Sequence, residues 1–368
     1  MEANGFKTTD VKEEKMKRLV MLLLAATVIV SLSTGTPSRA AAPIKLNYGN
    51  FLPPTIPYSV LAKEFCDEIN KRTAGKVEIA YYPGGTLVTA TKVYDGVVNN
   101  VADIGFCHIG YTRGRFPVTE TLNLPVGYPS GWVATQVIND FYDKFKPKEW
   151  NDVHVLHFFG PGPQIIATTK KPVRTLDDMK GLKFRATGKL ADVMKALGGT
   201  PVAVEMVDAY DGLQRGVIDG VLDSMETWQS WKLGELVKYA TQSRAVGVAY
   251  PFYIIMNKNK WNKLPDDVKK VFTETSLQWK DKYGYMASSL DLTGRDFLKK
   301  NGGQLIPLAP EEAARWVKAV QPVIEQHVKE MEGKGFKRAD TEAQLAFIKE
   351  RIAYWTVQEK ERKIPVVD

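Results

Sequence analysis

Cysteine is nearly absent: Cys66 and Cys107 are the only thiols in 368 residues, and histidine is limited to His108, His154, His157 and His327. So few thiols and imidazoles exclude a small disulfide-stapled scaffold and a structural zinc site. The two cysteines read as buried core groups, although an oxidising compartment would allow them to pair. His154 and His157 stand three apart on a predicted strand, so they are expected on opposite faces and make no joint metal site. No HExxH, GxSxG, GxGxxG or Walker loop occurs. Gly160-Pro161-Gly162-Pro163 looks glycine-rich, but its prolines lack the N–H groups a phosphate cradle needs. Without a nucleophile–base signature the chain does not read as an enzyme. Long apolar runs are missing too. Leu19–Leu32 is the nearest to one, and it is shorter than the about 20 residues that span a bilayer. No repeat period or low-complexity stretch is visible.

Charge of both signs is plentiful: 50 Lys+Arg face 42 Asp+Glu, a formal +8. The bases are interleaved with acids, as where Lys258, Lys260 and Lys263 are followed by Asp266 and Asp267. That is a solvated surface and not a phosphate track, so nucleic acid is not an expected partner. The N-terminus reads differently from the rest. Lys15, Lys17 and Arg18 precede the uncharged run Leu19–Leu32, which leads to the small residues Ala40-Ala41-Ala42. This is the layout of a secretory signal over residues 1–42, cleaved after Ala40 or Ala42, with Met16 as an alternative start. No cysteine at the exit argues for a lipoprotein. Those 42 residues hold six Lys/Arg and four Asp/Glu, leaving 44 against 38 in a soluble, exported chain.

Beyond residue 42, strand and helix signals alternate. Strands are expected at Ile44–Tyr48, Val77–Tyr82, Ile104–Cys107, Val153–Phe158, Gln164–Thr168, Leu182–Ala186, Val217–Leu222, Val246–Met256 and Gln304–Pro307. Helices are expected at Pro57–Arg72, Ala90–Asn99, Trp132–Phe145, Leu190–Leu197, Val207–Arg215, Asp266–Leu298, Pro310–Gly333 and Thr341–Glu359. The alternation predicts an α/β fold with open, mostly parallel sheets in two lobes, and ligands in such sheets bind at the carboxyl ends of strands. The Asp266–Leu298 helix, roughly 50 Å at 1.5 Å per residue, is long enough to cross both lobes.

Leu182-Lys183-Phe184-Arg185-Ala186 is the informative strand. Its alternation sends Lys183 and Arg185 to one side, and Arg185 falls at the carboxyl end, where a guanidinium holds a carboxylate by two parallel hydrogen bonds. A surface ion pair is the plainer reading of the same arginine. The surrounding run Thr175-Leu176-Asp177-Asp178-Met179-Lys180-Gly181-Leu182-Lys183-Phe184-Arg185 resembles the solute-binding subunits of TRAP transporters, the DctP family. So do Tyr82-Pro83-Gly84-Gly85-Thr86-Leu87, Leu213-Gln214-Arg215-Gly216-Val217-Ile218-Asp219-Gly220, and Phe252-Tyr253-Ile254-Ile255-Met256-Asn257 followed by Leu264-Pro265. The resemblance covers about residues 43–360 in order.

The resemblance implies the two-lobed periplasmic solute-binding fold, with a cleft that captures a small organic anion for the membrane permease subunits of a TRAP transporter. A sulfonate, an aromatic carboxylate or a signalling receptor as client are the alternatives. It implies that Arg185 pairs with the substrate carboxylate. Gln164, where some members place an arginine, favours a monocarboxylate or a keto or hydroxy acid; packed in the hinge strand it would be merely structural. Asp223 matches a position of Asn or a metal-ligating acid, or else caps the helix Met225–Trp231. The Trp–Glu pair of metal-using members is not evident, so no cofactor is expected and a bound cation stays open. His108, at a strand end, is a candidate donor to the anion. Phe51, Trp228 and Tyr253 are candidates for the apolar walls, with core packing as the alternative for each. The expected organisation is lobe 1 from 43–160 plus about 251–290, and lobe 2 from 161–250 plus about 291–368. A periplasmic monomer is expected, with the amphipathic C-terminal helices leaving a dimer open.

Overall fold

The computed structural model describes residues 13–21 and 42–367. Residues 13–21 are helical and fall outside the unit that begins at Ile44. Most of the expected apolar run of the signal, and Ala40 and Ala41 at its exit, lie outside the described residues. Among the described residues no helix is long and apolar enough to cross a membrane.

The unit from Ile44 onward is built on two sheets. The first has the order β2 (Val77–Tyr82), β1 (Ile44–Asn50), β3 (Ile104–His108), β10 (Phe252–Asn257), β4 (Val153–Phe159). The second has the order β11 (Gln304–Ile306), β9 (Tyr239–Thr241), β5 (Ile165–Thr168), β8 (Gly220–Asp223), β6 (Lys183–Arg185), β7 (Thr200–Val202). Both sheets are mixed: β10 runs antiparallel to β3 and β4, and β5 antiparallel to β8 and β9, while the other pairings are parallel. The two reversed strands are those that directly follow a passage of the chain from one sheet to the other, at 160–164 and 247–251. These passages lie side by side, with Gln164 N donating to Val248 O at 3.3 Å.

The helices are α1 (Pro57–Arg72), α2 (Val93–Val98), α3 (Gly131–Phe145), α4 (Leu190–Ala196), α5 (Ala209–Gln214), α6 (Glu226–Ser230), α7 (Lys258–Lys263), α8 (Asp266–Lys300), α9 (Pro310–Gly333) and α10 (Arg338–Glu361). In α1, Pro57 occupies the first turn, where its missing N–H costs nothing, and Leu61, Phe65 and Ile69 line the buried face. Ser130 caps α3, accepting from Val133 N at 3.1 Å. Asp266 and Asp267 begin α8, and Lys299 and Lys300 end it, each charge complementing the helix dipole. At 35 residues α8 packs on α1, α3 and β4 of the first sheet and on α6 and β11 of the second. Helix α10 lies on α3, where Arg351 and Trp355 both donate to Asp140, at 2.7 and 2.6 Å.

Three short elements, β7, β9 and α7, carry too few residues to show a period and were not expected. The apolar stretch from Val246 becomes a strand only at Phe252, because Pro251 has no N–H to give a ladder. His154 and His157 are also corrected. Register pairs His157 with Ile254 but His154 with Met256, so one extra residue, Leu156, bulges from β4. The bulge turns both imidazoles to the same side of the sheet. His154 then stacks on Trp261 at 3.5 Å, and His157 packs between Phe65 and Tyr283.

The main core is rich in rings: Phe106, Phe159, Phe252 and Tyr283 meet edge-on or stacked at centroid distances of 4.3–6.1 Å. Each such buried ring contributes roughly 1.5–3 kcal/mol by burial alone. Burial pushes the pKa of His157 down to about 3, with Lys280 adding to the effect. The ring is neutral in the fold and titrates near the ordinary value when unfolded. Its contribution is therefore lost as pH falls from about 6.5 toward 3. His157→Phe is expected to flatten the acid side of the melting-temperature profile between pH 7 and 4, relative to the parent. Parallel profiles would show that His157 does not set the acid limit.

Candidate functional site

The carboxyl ends of β3, β6 and β8 converge on a cavity with residues from both sheets in its wall. His108, the last residue of β3, and Phe252, its partner across the ladder, come from the first sheet. Arg185 ends β6, Asp223 ends β8, and Glu226 and Thr227 open α6. Pro161 enters from the passage between the sheets, and Tyr58, Tyr250, Met206 and Trp231 complete the enclosure. About 430 Å³ here is free of atoms, part of it open to solvent. This is room for a small ligand in tight contact.

Among the described residues lining the cavity, Arg185 is the one cation. Its Nε donates to Val204 O at 3.1 Å, its Nη1 to Asp223 Oδ2 at 2.7 Å, and Tyr111 adds a further hydrogen bond. Burial works against the guanidinium charge, but Asp223, Tyr111 and Tyr250 outweigh it and raise the pKa. A guanidinium has five N–H donors, so these partners fix its plane and leave it able to hold an anion as well. Burial raises the pKa of Asp223, while Arg185 and the Ser224 N–H pull it back. The Asp223 side chain does not cap α6; its carboxylate turns to Arg185.

His108 is buried among Tyr111, Tyr250, Phe252 and Phe51, at ring distances of 4.0, 4.5, 5.0 and 5.6 Å. Burial, with the Arg185 charge second, drives its pKa well down, so it is a neutral ring. Its Nδ1 has no protein partner. The Tyr250 hydroxyl is held by Thr187 Oγ1 at 2.7 Å.

Of the seven residues singled out in the sequence, Arg185, Asp223 and His108 meet at the cavity. Phe51 stands one layer behind, stacked on Phe252 at 6.3 Å. The other three do not line it. Gln164 is buried, with Nε2 donating to Gly162 O at 3.3 Å; it precedes β5, and β8 lies between β5 and the strand of Arg185. Tyr253 faces the opposite side of β10 from Phe252 and packs against Tyr94, Phe116 and Trp150. Both faces of this strand are buried, so alternation could not tell which aromatic meets the cleft. Trp228 sits in the second core with Leu233 and Leu298. At 100° per residue it points away from Glu226, and Trp231, past the helix end, takes the cavity wall. Tyr58, Tyr111, Tyr250 and Glu226 were missed. The aromatic run Ala249-Tyr250-Pro251-Phe252 was the available signal, since Pro251 marks where the strand breaks toward the cleft.

Asp291 of α8 ties the passage to the site. Its Oδ1 accepts from Glu226 N at 3.1 Å at the head of α6, and a Cβ on Gly162 would meet its Oδ2 at 1.7 Å. Burial raises the pKa of Asp291 to about 7, and that of Glu226 to about 8, where the Asp223 and Asp291 charges add to the effect. Outside the cavity the two sides meet again: Arg113 Nη2 donates to Asp192 at 2.5 Å. A groove there is lined by Gly110, Tyr111 and Arg113 on one side and Thr187 and Gly188 on the other. Among the described residues, no group of three His, Cys, Asp or Glu side chains is placed to hold a metal ion.

Known proteins share this fold. Residues 48–331 match the model of the DctP family, bacterial extracellular solute-binding protein family 7. A TRAP periplasmic solute-binding protein from Desulfovibrio salexigens is 34% identical, covering 85% of this chain and 97% of its own, at a TM-score of 0.76. That structure is an open complex with the C-terminus of a symmetry mate in its ligand-binding site. A marine metagenome TRAP solute-binding protein specific for aromatic acid ligands, in complex with metahydroxyphenylacetate, is 26% identical over 84% of this chain and 99% of its own, at a TM-score of 0.79. The C4-dicarboxylate-binding periplasmic protein DctP of Rhodobacter capsulatus is 26% identical over 83% of this chain and 92% of its own. With the family pattern matched across both sheets and the cleft between them, this chain belongs to the DctP family of bacterial extracellular solute-binding proteins.

Proposed function

We propose that the chain captures a small aromatic or similarly apolar monocarboxylate in the cavity and hands it to the membrane permease subunits of a TRAP transporter. The observation that carries the reading is Arg185, a buried guanidinium held rigid at a strand end, facing a cavity whose wall includes the apolar and aromatic side chains of Leu52, Ile56, Met206, Tyr250, Phe252 and Trp231. One fixed cation suits one carboxylate, because a fork held in place makes two parallel hydrogen bonds with little ordering cost. The apolar and aromatic walls suit an apolar body. The aromatic-acid specificity of the marine relative supports this ligand class over a C4-dicarboxylate, whose second anion would find no second cation among the described lining residues.

Capture works by population shift. Arg185 and His108 come from the two sides of the cleft, so only the closed form offers both to one ligand. The two lobes are read as following the two sheets, with α8 running along both; α10, expected in lobe 2, lies on α3 of the first lobe instead. Export through a leader cleaved near Ala40–Ala42, a periplasmic location and a monomeric state complete the reading, and no chemical step is assigned to it. A thermal-shift panel of aromatic and aliphatic monocarboxylates, keto acids, dicarboxylates and sulfonates tests it. Aromatic monocarboxylates are expected to give the largest stabilisation, following the free ligand concentration over Kd; a dicarboxylate or sulfonate in first place would overturn the assignment.

A further inference from the structure

The cavity has polar atoms that the anion at Arg185 does not account for. Tyr58 lines it from the first turn of α1, is 2% exposed, and its hydroxyl has no protein partner. Glu226 lines it from the first turn of α6 and is 6% exposed. Ser230 donates to one Glu226 oxygen, Oε2, at 2.5 Å. Glu226 and Asp291 are close enough to Tyr58 for their charges to raise its pKa, after burial itself. The Phe252 ring joins this end to the other, lying 5.0 Å from His108 and 6.5 Å from Tyr58. Buried polar groups in folded proteins are paired, and an unpaired hydroxyl at a cavity wall is where a ligand atom completes the bonding.

The charged groups lining the cavity here are acids, with Asp223 already paired to Arg185, while Arg244 lies behind them, near enough to Asp291 to pull back the pKa that burial raises. Asp223, Glu226 and Asp291 gather around the head of α6, and Glu226 is held largely in the neutral acid form near pH 7. A neutral acid and a phenol can each donate and accept, so together they suit a hydroxyl group. A second carboxylate there would meet the acids and lose its hydration without a further cation among the described lining residues to pair with. Resting on the ligand class proposed above, we propose that Tyr58 and Glu226 form a second polar pole of the cavity, which selects ligands with a hydroxyl on the apolar body and rejects a second carboxylate. No residue of this pole pairs with the acid group that Arg185 takes.

The test is calorimetric titration of phenylacetate, its 2-, 3- and 4-hydroxy derivatives and 3-carboxyphenylacetate, with the parent protein, Tyr58→Phe, and Tyr58→Phe combined with Glu226→Leu. Tyr58→Phe removes a hydroxyl that has no partner inside the protein, and the melting temperature of each variant serves as the folding control. The parent is expected to prefer its best hydroxy acid over phenylacetate by about tenfold or more, and to bind the dicarboxylate worst. That preference should shrink to within about threefold in Tyr58→Phe and vanish in the double variant. Equal affinity of the parent for hydroxylated and plain acids, or a preference that survives the double variant, would overturn the second pole while leaving capture at Arg185 standing. Failure of the parent to bind any of these acids would instead overturn the ligand class.

Discussion

Arg185→Ala is expected to lower affinity for the carboxylate ligand by on the order of a thousandfold. Truncating one partner of a buried, hydrogen-bonded charge pair costs roughly 2–5 kcal/mol, and here the ligand's anion would be left in a cavity whose other charges are acids. Arg185→Lys is expected to recover little, because an ammonium cannot keep the bonds to Val204 O and Asp223 while facing the ligand with a fork. An arginine that met only the ligand could be removed without touching the melt. The ion pair with Asp223, buried on both sides at 2.7 Å, changes that expectation. Removing Arg185 strands the Asp223 carboxylate, a loss of about 3–5 kcal/mol when a buried pair is broken one-sidedly, moderated as Asp223 takes up a proton. Arg185→Ala should therefore melt lower than the parent. Adding Asp223→Asn should restore most of the melting temperature without restoring binding. Recovery of binding in that double variant would mean that Arg185 serves the fold and not the ligand.

Gly110→Val should have the second-largest effect, acting on closure. A Cβ at Gly110 would fall 1.8 Å from the Tyr250 hydroxyl, and the Cβ position of Gly188 lies 3.1 Å from Gly110 Cα. The two glycines thus let the turn after β3 and the turn after β6 meet at the cleft rim. Gly188 has φ +58°, a left-handed backbone that glycine adopts without strain. Valine at 110 must expel Tyr250 from the cavity wall, where Thr187 and His108 hold it, or keep the lobes apart. Either response weakens the ligand-bound form more than the ligand-free one. Affinity is expected to fall at least tenfold, and small-angle scattering should show a larger radius of gyration in saturating ligand than the parent gives. An unchanged affinity would show that the rim contact plays no part in capture.

The elements with long periods were legible from the chain. Helices α1, α8 and α9 fall where spaced apolar residues, prolines and terminal charges put them, because a helix of four turns or more repeats its pattern enough to be read. Strands of three residues such as β7 and β9 repeat nothing. The Leu156 bulge was equally hidden: one inserted residue reverses the facing of His154 relative to His157, and no composition signal marks it. Arg185 was legible because it sits at the carboxyl end of an alternating strand and because the run around it resembles the family's. Glu226 and Tyr58 were not, since each looks like an ordinary residue in the first turn of a helix. Only packing against the opposite lobe buries them beside the same cavity.

By itself, the sequence determined the class of the protein: an α/β chain with the family's motifs in order and an arginine at a strand end. The tertiary structure decided which side chains share the cavity. It paired Arg185 with Asp223, turned Phe252 inward and Tyr253 outward, moved Trp228 into a core, and brought Tyr58 to Glu226 across the cleft. The physical reason is that facing depends on which side of a fully buried strand meets the other lobe. That is settled by contacts between residues far apart in the chain and leaves no trace in local periodicity.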